Sequence, residues 1–178
     1  MKKDFIMPIL VLSLICLSVS GALAVVNKYT HPVIETAAAE RAAAARKEII
    51  PNADSFELLT IDSFRDDGIF PRTISEVYRA TNDAGYVFMV LSPGYGGDIK
   101  LICGIDNDGR IIRTSVLAHT ETKGMTDAVF QDPHESQYAG KDKNLDGITA
   151  ITGATISSTA YKNGVRDAFI AFEIISKP

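Results

Sequence analysis

The sequence predicts an α+β fold: one N-terminal transmembrane helix followed by a compact domain whose largely antiparallel sheet is packed by helices. Three observations predict it. Phe5 to Val26 is an apolar run without a charged side chain. Short β-like runs separated by turn signals fill the centre of the chain. A helical apolar period returns near the C-terminus. At 178 residues there is room for one soluble domain and one accessory segment. Hydrophobic residues make up 46% and charged residues 22%, as in ordinary globular proteins. A net charge of −4 without a clustered basic face excludes a nucleic-acid footprint.

The N-terminal run is long enough to cross a bilayer, since about 20 apolar residues span the hydrocarbon core. Lys2 and Lys3 precede it and Lys28 follows it. The positive-inside rule then puts the N-terminus in the cytoplasm and everything after Val26 outside. Ala22-Leu23-Ala24 resembles a signal-peptidase site, but the run is longer than an h-region of about 7–15 residues, which favours a retained single-pass anchor in the cell membrane. Thr30 to Glu48 is rich in Ala, with Glu35 and Glu40 early and Arg46 and Lys47 late, a composition and dipole arrangement that suit a helix. Pro51 stops it. The expected division is anchor 1–26, helical stalk 27–50 and extracytoplasmic domain 51–178.

From Phe56 the period changes. Glu76 to Thr81 and Tyr86 to Leu91 flank Asn82-Asp83-Ala84-Gly85, a hairpin signal. Pro93-Gly94-Tyr95-Gly96-Gly97 is a glycine-rich loop. Ile99 to Ile105 and Arg110 to Leu117 bracket Asp106-Asn107-Asp108-Gly109, a second hairpin turn. That turn lacks the further ligands of a calcium loop, because Ile111 and Ile112 follow at once. A long polar stretch, His119 to Leu145, is of the kind that is functional or holds short helices. Between Ser158 and Ile175, the residues Val165, Ala168, Phe169, Phe172 and Ile175 fall at helical spacing, giving an amphipathic helix laid against the sheet. Cys16 and Cys103 have neither disulfide nor metal spacing and read as buried, inert thiols. No metal site is expected, and no G-x-G-x-x-G fingerprint for NAD follows a strand.

The turn Thr152-Gly153-Ala154-Thr155, leading into Ile156-Ser157-Ser158, carries the most chemistry. Its small residues leave the backbone open, and the following helix directs free N–H groups and the positive end of its dipole at the turn. That arrangement suits a phosphate, which the Thr155 hydroxyl could esterify. It equally suits a plain helix cap by Thr155, Ser157 or Ser158. Taken alone, His119 near Glu121 is weak evidence for acid–base work.

Ile151 to Ser158 resembles the flavinylation motif of the FMN-binding domain family, which includes the G subunit of the Rnf electron-transport complex and the C subunit of the sodium-pumping NADH:quinone oxidoreductase. Two further segments resemble that family. Gly94-Tyr95-Gly96-Gly97-Asp98-Ile99 with Gly104 to Ile111 is similar to its G-Y-x-G loop and strand-turn-strand. His119-Thr120-Glu121-Thr122-Lys123-Gly124-Met125 is similar to its H-x-E-T-P-G-L segment, with Lys123 in place of Pro and Met125 in place of Leu. Thr149 stands where the family often has an aspartate, and Asp146 lies further upstream. The short chain resembles the Rnf G subunit more than its quinone-reductase counterpart.

The resemblance implies FMN joined by a phosphoester to Thr155. It also implies a turn shaped by Thr152, Gly153 and Ala154, phosphate contacts from the N–H groups of Ile156, Ser157 and Ser158, and Gly94, Tyr95, Gly96, Gly97, His119, Glu121 and Thr122 near the ring or ribityl chain. The implied function is an electron-carrier subunit, not an independent catalyst, in an ion-translocating ferredoxin:NAD oxidoreductase complex. Its implied partners are the other membrane and redox subunits, among them the D subunit, and a flavin-transferring enzyme. Two other readings stand beside it: a standalone extracytoplasmic flavin electron shuttle, and a membrane-anchored ligand-binding or sensory ectodomain.

Overall fold

Strands of a half-exposed sheet alternate apolar and polar residues, whereas Val87-Phe88-Met89-Val90 and Leu101-Ile102-Cys103 are apolar without a break. Both faces of these central strands are therefore covered, and that organises the domain. The computed structural model describes residues 2–65 and 68–176. Met1, Asp66, Asp67, Lys177 and Pro178, which fall within the expected anchor and domain, lie outside the described residues. The chain divides into two units, residues 1–41 and 42–178.

The first unit is helix. Helix α1 runs Lys2–Ile49 without a break, so it continues into the second unit. Pro8 and Pro32 lie inside it. From Ile6 onward it is long and apolar enough to cross a membrane, and Leu10, Leu14, Leu17 and Leu23 are all exposed, as a lipid-facing surface requires. Cys16, expected to be buried, is exposed on this helix. Near the polar end, the Thr36 hydroxyl donates to the Pro32 carbonyl at 2.7 Å, and His31 lies 3.3 Å from Glu35 one turn on.

The second unit holds a five-stranded antiparallel sheet in the sequential order β1 (Phe56–Leu59), β2 (Ile74–Ala80), β3 (Tyr86–Pro93), β4 (Asp98–Ile105) and β5 (Ile111–His119). A four-residue helix, α2 (Asp62–Arg65), lies between β1 and β2. The hairpin turns fall where the sequence places them. Asp83 and Gly85 carry positive φ in the first, and in the second the Asp106 carboxylate accepts from the N–H groups of Asp108 and Arg110. That carboxylate is occupied in closing a turn.

One sheet face packs Ile74, Val77, Phe88, Val90, Leu101 and Cys103 against α3 (Thr155–Ile175), through Tyr161, Val165, Ala168 and Phe169. Three side-chain bonds fix where α3 sits. Tyr161 donates to Thr114 Oγ1 (2.8 Å), Ser92 to the Ala160 carbonyl (2.8 Å) and Thr73 to Asp167 (2.6 Å). The other face packs Ala80, Val87, Met89 and Ile102 against Ala42, Ile49, Ile50 and Ala53. The end of α1 is thus part of the domain core, where the sequence reading set a helical stalk apart from the domain. Gly104 makes this possible, because a Cβ there would run into Ile49 Cγ2. Arg46 stacks over the Tyr78 ring at 4.0 Å, and Glu48 pairs with Arg113 at 3.2 Å.

The polar stretch after β5 holds two 3-10 turns, Asp127–Val129 and Glu135–Tyr138. It buries Val129, His134, Tyr138 and Leu145. It also closes the β5 edge. Ile111 donates to the Lys141 carbonyl (2.9 Å), Gly140 to Ile111 (2.7 Å), and the Val116 N–H to Glu135 Oε1 (2.9 Å). Pairing the edge in this way removes a site for strand addition.

Candidate functional site

The β3–β4 connection is built around a buried carboxylate. Gly94 donates to the Gly97 carbonyl (2.9 Å), which tightens the loop and turns the N–H groups of Tyr95 and Gly96 inward. Both donate to Glu121 Oε1, at 2.7 and 3.1 Å. A side chain at Gly94 would collide with that oxygen, and one at Gly97 with Thr120 Oγ1. Loop and carboxylate therefore require each other. Glu121 is 5% exposed, and its other oxygen accepts from the Ser157 hydroxyl at 2.8 Å. No cation among the described residues forms an ion pair with it.

Ser157 brings in the other half of the site. Gly153 has φ +83°, a conformation that favours glycine, and the chain then enters α3 with Ala154 as N-cap. No side chain caps this helix, and its first turn holds no acidic residue. The expectation of a cap by Thr155, Ser157 or Ser158 is not met. The Ser157 hydroxyl bonds Glu121, and the Ser158 hydroxyl accepts from the Ile151 N–H at 3.0 Å. Thr155 is exposed, and its hydroxyl has no hydrogen-bond partner among the described residues. Ser158 is the first residue whose N–H is paired within the helix, to the Ala154 carbonyl at 2.9 Å. The N–H groups of Thr155, Ile156 and Ser157 have no partner among the described residues and lie at the positive end of the dipole.

Two of these donors, on Thr155 and Ile156, border a cavity of about 410 Å³ lined by Tyr95, Glu121, Thr122, Met125, Thr126 and the 153–156 turn. Its size lies in the range of small-molecule sites, roughly 300–1,000 Å³. Tyr95, Met125 and Ile156 are 74%, 63% and 57% exposed, so three large apolar side chains meet at one opening. An exposed apolar collar beside an uncapped helix N-terminus fits a flat aromatic ring carrying a phosphate.

The sequence-predicted residues fall into two sets. Tyr95, Glu121, Thr122, Gly153, Ala154, Thr155 and Ile156 line the cavity. Gly94, Gly96, Gly97, Thr152, Ser157 and Ser158 are outside the lining. His119 is also outside it, at the end of β5, with its ring 4.3 Å from that of Phe130 and its Nδ1 buried without a partner. It is not a hydrogen-bond partner of Glu121, so the acid–base pair that their spacing suggests does not form. Sequence reasoning passed over Met125 and Thr126 as lining residues, although Met125 lies in one of the three motifs.

Residues 94–170 match the FMN-binding domain family. The chain is 30% identical over 138 residues to the G subunit of the proton-translocating ferredoxin:NAD(+) oxidoreductase complex of Clostridium ljungdahlii, covering 70% of this chain and 74% of that one. The chain belongs to this G-subunit family. It is 26% identical over 189 residues to the G subunit of the Na(+)-translocating ferredoxin:NAD(+) oxidoreductase complex of Acetobacterium woodii, covering 94% of this chain and 91% of that one. It is 30% identical over 193 residues to the G subunit of the ion-translocating oxidoreductase complex of Shewanella piezotolerans, covering 97% and 91%. The matched FMN-binding domain region contains the glycine loop, the Glu121 bridge and the first turn of α3, and it ends within α3. The chain thus has one helix long and apolar enough to cross a membrane, beginning near its N-terminus, and its FMN-binding domain lies in the second unit.

Proposed function

We propose that this chain is the covalently flavinylated electron carrier of an ion-translocating ferredoxin:NAD oxidoreductase complex, with FMN joined by a phosphoester to Thr155. The observation that carries the reading is the uncapped start of α3, where the exposed, unbonded hydroxyl of Thr155 and the free N–H groups of Thr155 and Ile156 border a cavity large enough for a ring system. The N–H groups of Thr155, Ile156 and Ser157 receive phosphate oxygens, and the helix dipole favours their charge. Thr152, Gly153 and Ala154 keep the approach to Thr155 open. Tyr95, Thr122, Met125 and Ile156 hold the ring away from bulk water. FMN supplies stepwise electron transfer, and the protein supplies its position and electrostatic setting.

Attachment needs an activated donor. With flavin adenine dinucleotide as the donor, a bond from the Thr155 oxygen to phosphorus would form as the phosphoanhydride breaks. Adenosine monophosphate then leaves, and the hydroxyl proton passes to a base of the flavin-transferring enzyme. Covalent attachment suits a carrier outside the cytoplasm, where a lost soluble cofactor cannot be recovered. The proposed topology is a cytoplasmic N-terminus, an anchor over 1–26, a helical segment over 27–50 and an extracytoplasmic domain from 51 onward. The other subunits of the complex, including the D subunit, are the redox partners.

The test is expression with the flavin-transferring enzyme followed by a denaturing gel. A fluorescent flavin band should travel with the wild-type chain and vanish in Thr155→Val. A band that survives in Thr155→Val overturns the assignment of the residue.

A further inference from the structure

We propose that Glu121 is the positioning residue of the attachment turn. Its buried carboxylate ties the glycine loop to the first turn of α3, so that Thr155 and the free N–H groups are held in place before any flavin arrives. The inference rests on the FMN reading for its functional meaning, but the clamp itself is visible without it.

Glu121 accepts three hydrogen bonds, from the N–H groups of Tyr95 and Gly96 and from the Ser157 hydroxyl. The donors come from places 25, 26 and 36 residues away in sequence, so this one side chain joins two segments that share no backbone hydrogen bond among the described residues. The bond to Ser157 lies two residues beyond Thr155 and fixes the rotation of the first helical turn. The first helical turn, whose Thr155 and Ile156 line the cavity, keeps its orientation because Ser157 is held by its own side chain. Acid–base chemistry is a poor alternative. Both carboxylate oxygens are occupied, and neither His119 nor any cation among the described residues pairs with the group.

The test compares wild type with Glu121→Ala, Glu121→Gln and Ser157→Ala in two assays. In hydrogen exchange of the unflavinylated protein, Glu121→Ala should speed exchange at the bonded loop amides of Gly94, Tyr95 and Gly96 and at the first bonded amides of α3, from Ser158 onward, together, by about tenfold or more. Ser157→Ala should speed exchange in the helical turn and leave the loop protected. In flavin uptake from flavin adenine dinucleotide with the transferring enzyme, followed by mass, both alanine variants should be slowed about tenfold. Glu121→Gln keeps an oxygen for the loop N–H groups and an amide for Ser157, and should recover most of the wild-type rate.

Exchange confined to the loop in Glu121→Ala, or a wild-type uptake rate in both alanine variants, overturns the proposal. So does a Gln variant as slow as the Ala variant, since that assigns the effect to charge. Should Glu121→Ala not fold, Ser157→Ala loses only one hydroxyl and decides alone. A wild-type chain that takes up no flavin sinks the FMN reading, and the exchange data still decide whether the clamp exists.

Discussion

Thr155 sits at a helix start without capping it, and this separates two explanations of its presence. A capping threonine costs about 1 kcal/mol when its oxygen is removed. Thr155 is exposed and its hydroxyl is unbonded, so Thr155→Val should change the stability of the unflavinylated domain by less than about 0.5 kcal/mol in urea unfolding. A larger loss would return the residue to a structural role. Glu135 offers a second residue-level prediction. Burial pushes its carboxyl up from an ordinary 4.5 to about 7, with Asp132 adding to the rise and the Val116 N–H opposing it. Between those values the folded state holds the proton that the unfolded chain has released. Stability therefore falls as pH rises from 4.5 to about 7, then levels off. Glu135→Gln should flatten that slope and gain on the order of 1 kcal/mol at pH 8, a figure reduced for a half-exposed group. An unchanged slope in thermal unfolding against pH would refute the assignment. The turn that presents Thr155 was legible in the sequence because Gly153 and the start of α3 are local signals. The tie between Glu121 and Ser157 was not, because no spacing rule links residues on a loop and a helix so far apart.

At the scale of elements, the hairpins and α3 were legible because turn chemistry and a 3.6-residue period are short-range signals. The covering of the second sheet face was not. An Ala-rich segment with interspersed charges describes a solvated helix as well as a packed one, and what decides is the shape of the opposing sheet at Gly104. Ile49 at the end of α1 and Ile50 just after it are buried, at 1% and 2% exposure, so a domain cut at the expected boundary of residue 51 loses part of its core. A fragment from residue 42 onward should be more stable than one from residue 51, and Ile49→Ala should cost about 2–5 kcal/mol. Gly104→Val should destabilise by about 1–3 kcal/mol through overpacking against Ile49. Equal urea midpoints for the two fragments would show that the α1 end contributes nothing to the fold.

For the whole molecule, one apolar helix and one FMN-binding domain divide the work: the first fixes the chain to a bilayer, the second carries the site. The anchor was legible from length and composition alone. The site was legible as three motifs in order, but its cavity needed the fold to bring the 121–126 segment beside the 153–156 turn. The basic residues before the apolar run predict that protease added to the outer face of intact cells digests the domain and spares the N-terminus. The central claim is that Thr155 carries the flavin. The most direct test is the intact mass of the chain purified after expression with the flavin-transferring enzyme. A single species heavier by one FMN less one water, with the added mass on the peptide containing Thr155, is the predicted result. An unmodified chain, or the added mass on any other residue, would contradict it.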